Sequence, residues 1–251
     1  MSNKETWLLF DAGNTRLKWA HVRADGIEET SAIAWPALAV PHGRDALPSV
    51  SPDQHVVLAQ VLAPDRAAAL QLILAQRYGE FCELHTEAAF AGLRSGYRHP
   101  QRLGVDRWLA MLAAWNPGDA LLLANVGTAV TLDAVDSQGQ HLGGTILGGL
   151  DAMQRGLLQA APGLQRWLAS DDGERSLWAD DSAMAIRSAP AFAAAGIIEL
   201  AARRLQRQLG VPVRCVIAGG DASAVQARLD IDSELRRDLV LEGMWKRVRL
   251  A

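Results

Sequence analysis

The sequence predicts an α/β fold in two halves, each opening with a meander of three strands and continuing into helices. The first observation is an internal echo. "LLFDAGNTRLKWAHV" (residues 8–22) matches "LLLANVGTAVTLDAV" (residues 121–135) once a gap of one residue is allowed. Both read as an apolar strand, an Asx-x-Gly turn, a threonine and a second strand. The echo then continues, through "RADG" into "IEETSAIAW" and through "DSQG" into "QHLGGTILG", each an Asp- and Gly-bearing turn between strand-like runs. Finally, helix-period and strand-period stretches alternate along the rest of the chain.

Past the first meander, "HVVLAQV" reads as a short buried strand. "PDRAAALQLILAQRYG" reads as a helix with Pro64 at its start and Gly79 at its end. "EFCELH" is a further short strand, and "RLGVDRWLAMLAAWNPG" a helix whose apolar residues stop at Asn116-Pro117-Gly118. That stop predicts halves of residues 1–117 and 118–251. In the second half "LDAMQRGLLQAA" is helical and "LASDDGERSLWADDS" polar enough to be a loop. "AFAAAGIIELAARRLQRQLG" is a long helix, "VRCVIAG" a strand, "DASAVQARL" a helix, and "LEGMWKRVRL" a short closing helix.

Composition excludes several classes of function. With 251 residues, 49% hydrophobic and 21% charged, the chain is globular rather than disordered. A net charge of -3 gives no overall pull toward nucleic acid or anionic membrane. Cys82 and Cys215 form no CxxC pair and read as buried thiols of a reducing compartment. The N-terminus lacks the pattern of a signal peptide, and Arg187 and Pro190 interrupt the most apolar stretch, so a cytoplasmic protein with no membrane span is expected. The histidines lack zinc spacing, and there is no Walker A, GxSxG or GxGxxG pattern. Trp108 and Trp115 read as core or interface, and the Gly143-Gly144 and Gly148-Gly149 pairs as places where backbones or a ligand come close.

The two turns have the chemistry of phosphate sites. Gly13 and Gly127 let the backbone approach an anion, Asn14, Thr15 and Thr128 add side-chain donors, and Lys18 adds a positive charge. Asp11 repels phosphate, so its use is to hold a hydrated divalent ion that bridges phosphates. The set suits a magnesium nucleotide gripped by both hairpins. The duplicated meander resembles the acetate kinase, sugar kinase, Hsp70 and actin superfamily, which implies a two-domain actin-like ATPase fold.

A closer resemblance spans nearly the whole chain, from Leu8 to about Gly243. "DAGNTRLKWA" looks like the first phosphate motif of type III pantothenate kinases, "LRSGYRHPQRLGVDRW" like their pantothenate segment, and "NVGTAVTLDAVD" like their second phosphate motif. "GGTILGGLDAMQRGL", "DDSAMAIRSAPAFAAAGIIE" and "VIAGGDA" follow in the family's order. The resemblance implies ATP-dependent phosphorylation of pantothenate, the first step toward coenzyme A, by a homodimer using Mg2+ and a monovalent cation, K+ or NH4+. It implies Asp106 as general base, Arg107 on the pantothenate carboxylate, and Gly104, Val105 and Tyr97 lining the same pocket. Ser182, where the family usually has threonine, would reach in from the partner subunit. Gly219 and Gly220 would adjoin the nucleotide, and Asp11 and Asn125 the metal ions. The chain departs from the family at Asn125, where aspartate is usual, and at Gly148, Ser188 and Ala218.

Two other readings stay open from the sequence. One is a catalytically weak relative with a regulatory role like that of the Bvg accessory factor, in which Arg203, Arg204, Arg207, Arg236, Arg237, Lys246, Arg247 and Arg249 would form a basic face. The other is a kinase for a sugar or another small alcohol. Solvated helix charges account for such arginines more simply, so nucleic-acid binding is not expected.

Overall fold

Three antiparallel strands open the chain because two apolar runs, Trp7–Ala12 and Leu17–Val22, flank one exposed polar turn. They are β1 (Thr6–Ala12), β2 (Arg16–Arg23) and β3 (Gly26–Ala34). β1 sits mid-sheet, buried on both faces, and its Leu8, Leu9, Phe10 and Ala12 have no exposed surface. Burying each of the large side chains contributes about 1.5–3 kcal/mol. A single helical turn, α1 (Trp35–Leu38), leads on to β4 (Gln54–Gln60), which runs parallel to β1. α2 (Pro64–Tyr78) follows, with Pro64 at its N-terminus and Gly79 at φ 77° as its cap. The edge strand β5 (Cys82–Glu83) completes the order β3-β2-β1-β4-β5. A small ribbon, β6 (Ala89–Phe90) with β7 (Leu93–Arg94), precedes α3 (Val105–Ala114). The computed structural model describes residues 6–39, 43–51, 54–169 and 176–251.

The same plan recurs after α3. β8 (Ala120–Val126), β9 (Ala129–Val135) and β10 (His141–Gly148) form the second antiparallel meander. α4 (Leu150–Ala160), α5 (Ser182–Leu209), β11 (Val213–Ala218), α6 (Ala222–Gln226) and β12 (Glu234–Leu235) follow. The sheet order β10-β9-β8-β11-β12 repeats that of the first sheet, and β11 pairs parallel to β8 as β4 does to β1. Asp11 and Asn125 each occupy the sixth position of a central seven-residue strand. The gap in the echo falls in the turns, three residues (13–15) in the first and two (127–128) in the second.

The chain packs as two units, one of residues 1–114 and 238–251, the other of residues 115–237. The last helix, α7 (Leu239–Arg249), read from sequence as the close of the second half, therefore lies in the first unit. Gly243 explains why: its α-carbon passes so close to α3 that a Cβ would lie 1.9 Å from the Leu109 carbonyl oxygen, and Lys246 Nζ donates to the Leu112 carbonyl at 2.9 Å.

Three further readings change. The long helix begins at Ser182 rather than Ala191, since Asp181 caps it by accepting from the Ala183 and Met184 amides, and it continues through Pro190. By length and composition α5 could cross a membrane; in this unit half of its apolar window is buried, and it packs on β8, β9 and β11. Cys215 is buried as expected, but Cys82 is exposed because β5 is a two-residue edge strand. Residues 170–175 of the expected polar loop lie outside the described residues, whereas 162–169 form a 3-10 helix.

Candidate active site

In the first unit, pairing register builds the site. Asp11 on β1 lies directly opposite Lys18 on β2, so the two side chains share a face. Lys18 Nζ also pairs with Asp238 Oδ1 at 3.0 Å, and Thr30 Oγ1 donates to Asp238 Oδ2 at 3.1 Å. Asp238, a residue that sequence reasoning missed, holds a left-handed backbone (φ 55°) at the N-terminus of α7. The carboxyl of Asp11 is pushed up from 3.8 to about 7: burial is the main cause, Lys18 opposes it, and the carboxylates of Asp106 and Asp238 add to it.

Asp106 reaches this group from the first turn of α3. Val61, whose N–H donates to the Ala12 carbonyl at 3.2 Å, sets α3 beside the end of β1: its Cγ1 lies 3.7 Å from where a Cβ on Gly104 would be. That same Cβ would strike Asp106 Oδ1 at 2.5 Å, so Gly104 leaves the space in which the carboxylate stands. The Arg107 N–H donates to Asp106 Oδ1 at 2.8 Å and fixes its rotamer. The Arg107 side chain is only 6% exposed and donates from Nη1 to the Tyr97 hydroxyl at 3.0 Å. The structure thus brings Asp11, Lys18, Asp106 and Asp238 together, with Gly104, Val105, Arg107 and Tyr97 beside them.

The glycines of the two turns are not explained by the fold. Neither Gly13 nor Gly127 has a positive φ, and a Cβ would meet only ordinary contacts, 3.6 Å from Arg16 O and 4.0 Å from Ala129 O. Their own amides close the turns, Gly13 N–H to Arg16 O at 3.2 Å and Gly127 N–H to Ala129 O at 3.0 Å. Neither position is closed to a side chain by its surroundings, so packing alone does not call for glycine at either turn. Asn14 and Thr15 are exposed on the first turn, and Thr128 on the second.

The second unit builds its turn by close backbone packing. A Cβ on Gly149 would lie 2.1 Å from Gly127 O, and one on Gly219, at φ 105°, 2.2 Å from Val126 O and 2.7 Å from Asn125 Oδ1. The Asp221 amide then donates to Val126 O at 3.1 Å, which folds Gly219 and Gly220 against the end of β8. Asn125 faces Thr131 across the sheet, where the first unit has Asp11 facing Lys18. Ser182 is exposed at the start of α5. Of the other departures, Ser188 is buried with its hydroxyl on Met184 O at 2.7 Å, and Ala218 is buried at the end of β11.

The donor set of the first unit suits a divalent ion. Asp11 feels one lysine and two further carboxylates there, yet among the described residues no three acidic, His or Cys side chains converge to chelate a metal. An ion held by one or two carboxylates and completed by phosphate oxygens and water is how Mg2+ is usually bound.

A type III pantothenate kinase family profile matches residues 7–204. The chain belongs to the type III pantothenate kinase family. A type III pantothenate kinase of Laribacter hongkongensis is 38% identical, with 97% of this chain and 99% of that one covered. One of Albidiferax ferrireducens is 33% identical, with 95% and 96% covered. Among solved structures, a Campylobacter jejuni protein named for the Baf family of transcriptional activators superposes with a TM-score of 0.59 at 17% identity, covering 96% of this chain and 97% of that one. MreB5 of Spiroplasma citri bound to ADP does so at 0.50 and 11%, covering 98% and 97%. At those identities the likeness is of fold, and the fold of this kinase is the two-domain actin-like ATPase fold. Three of the candidate basic residues are paired within their own units: Arg247 with Glu87 at 2.6 Å, Arg203 with Glu199 at 3.2 Å and Arg236 with Glu234 at 3.7 Å.

Proposed function

We propose that this kinase transfers the γ-phosphoryl group of ATP to the hydroxyl of pantothenate, with Asp106 as general base. The observation that carries the reading is the gathering of Asp11, Lys18 and Asp106 at the end of one central strand, beside the part-buried Arg107–Tyr97 pair.

Phosphoryl transfer needs position and charge neutralisation more than covalent chemistry. The hydroxyl oxygen attacks the γ-phosphorus as the bond to ADP breaks, and its proton passes to an Asp106 oxygen. Arg107, oriented by its Nη1 bond to the Tyr97 hydroxyl, pairs with the pantothenate carboxylate. Lys18 offsets negative charge on the transferring group, and the Asn14 and Thr15 turn groups of the first unit hold nucleotide phosphate; in the second unit the candidate nucleotide groups are Thr128, Gly219 and Gly220. Mg2+, when bound, neutralises phosphate charge, with Asp11 as its protein ligand. Asn125 offers a neutral amide oxygen toward the monovalent cation.

A homodimer whose pocket Ser182 completes from the partner subunit is part of the proposal. It is supported by the second unit, where α4 has no buried residue and Ile146, Leu157, Trp167, Leu177 and Trp178 are all more than 40% exposed. A cytoplasmic setting fits a soluble biosynthetic enzyme. The test is mass-spectrometric detection of phosphorylated pantothenate from purified protein, ATP, Mg2+ and K+ or NH4+. Phosphorylation of sugars instead would move the enzyme to another acceptor class.

A further inference from the structure

We propose that Trp35 and Arg66 are positioning residues of the first phosphate turn, which take its carbonyl oxygens from behind and so aim its amides at the anion. The inference rests on the reading that this turn holds nucleotide phosphate. Trp35 Nε1 donates to the Gly13 carbonyl at 2.8 Å, and Arg66 Nη1 to the Asn14 carbonyl at 3.0 Å. The Trp35 backbone N–H adds a longer bond to the Thr15 carbonyl at 3.4 Å. Three successive carbonyls of one turn are thus held by two residues from outside the hairpin.

The consequence follows from peptide geometry. In a planar trans peptide the C=O of one residue and the N–H of the next point in opposite directions, and the described residues include no cis peptide. Pinning the Gly13 carbonyl to the indole therefore turns the Asn14 N–H to the other side. Pinning the Asn14 carbonyl to the guanidinium does the same for the Thr15 N–H. Successive amides with a fixed common direction are what an anion-binding turn requires. Without the two donors these peptide planes would be free to rotate in a glycine-containing turn.

The local sequence places both residues for this. Ala34 is the extended N-cap and Trp35 opens a single helical turn with Pro36 as its second residue, so the indole leaves β3 toward the hairpin while Leu38 anchors the turn in the core. Arg66 stands in the first turn of α2, its guanidinium carbon 5.6 Å from the centre of the Trp35 ring. Both line a groove of ≈ 790 Å³ behind the hairpin, together with Asn14, Thr15, Leu38 and Ile73. The Trp35 bond is half-buried and the Arg66 bond exposed, so Trp35 carries the larger effect.

The test is steady-state kinetics of the full-length Trp35→Phe, Arg66→Met and Arg66→Gln enzymes, with melting temperatures on the same samples and Lys18→Ala as reference. Trp35→Phe, which keeps the ring and loses the donor, should raise KM for ATP about three- to tenfold. Its kcat and KM for pantothenate should stay within about twofold of wild type, the scatter expected of an unused contact. Arg66→Met should raise KM for ATP about twofold, and Arg66→Gln, which keeps a donor, should largely restore it. In 15N spectra, titration with tripolyphosphate should move the Asn14 amide in wild type and move it less in Trp35→Phe. Unchanged KM for ATP in both Trp35→Phe and Arg66→Met, or equal rises in both KM values with a fall in melting temperature, overturns the proposal. If Lys18→Ala also keeps the wild-type KM for ATP, the phosphate reading of the turn fails and takes this proposal with it.

Discussion

Lys18 and Asp238 form an ion pair of 3.0 Å across 220 positions of sequence, tying the second strand to the residue at which the chain re-enters the first unit. Asp238 also contributes to the raised carboxyl of Asp11. Asp238→Asn tolerates the left-handed backbone and keeps an acceptor for Lys18, but removes one negative charge. It should fold with near-native stability and move the Asp11 carboxyl below about 7, seen as an acid shift in the pH profile of kcat/KM for MgATP. Asp238→Ala loses both bonds and the backbone tolerance, and should lower stability by about 1–3 kcal/mol in denaturant unfolding.

Asp11 makes opposite predictions for stability and function. Between pH 3.8 and about 7 the folded protein holds a proton that the unfolded chain has released, so Asp11 lowers stability as pH rises through that window. Asp11→Asn removes the penalty. Its stabilisation relative to wild type should be small near pH 4, grow through that window, and level off above it at about 1–3 kcal/mol once solvent screening of a half-buried carboxylate is allowed for. The same variant should lose Mg2+-dependent activity. In wild type, apparent Mg2+ affinity should fall about tenfold per pH unit below about 7, because the ligand must be ionised.

The glycines of the second unit separate packing from ligand space. Gly149→Ala would set a Cβ 2.1 Å from a backbone oxygen and should destabilise the protein by about 2 kcal/mol or more. Gly127→Ala meets nothing closer than 4.0 Å, so it should melt within a few degrees of wild type yet raise KM for ATP. Thermal melts and kinetics on the two variants check this. A Gly127→Ala enzyme with normal KM would remove that turn from the nucleotide site.

Tyr97 and Arg107 are predicted to act on the acceptor alone. Tyr97→Phe removes the hydroxyl that accepts from Arg107 Nη1 at 3.0 Å. It should raise KM for pantothenate about three- to tenfold while KM for ATP is unchanged.

The meanders were legible because an Asx-x-Gly turn between two apolar runs is a local signal, and that hairpin singled out Asp11 and Lys18, whereas Asp106 entered only through the family resemblance. The start of α5 was not, since Pro190 read as a break while the cap at Asp181 outweighed it in the fold. Asp238 was hidden because its importance lies in a partner 220 positions away and in a backbone conformation that its residue type only permits. The return of α7 rests on Gly243, whose close approach to Leu109 is a tertiary fact with no counterpart in local pattern.

The role of Asp106 is tested most directly by Asp106→Asn, because the amide oxygen can still accept the Arg107 N–H that now holds the carboxylate at 2.8 Å. Mass spectrometry of the pantothenate reaction, with melting temperature and ATP binding measured on the same samples, is the decisive experiment. The expected result is loss of phosphorylated pantothenate by at least about a hundredfold, with melting and ATP binding preserved. A variant that turns over at the wild-type rate would contradict the assignment of the base.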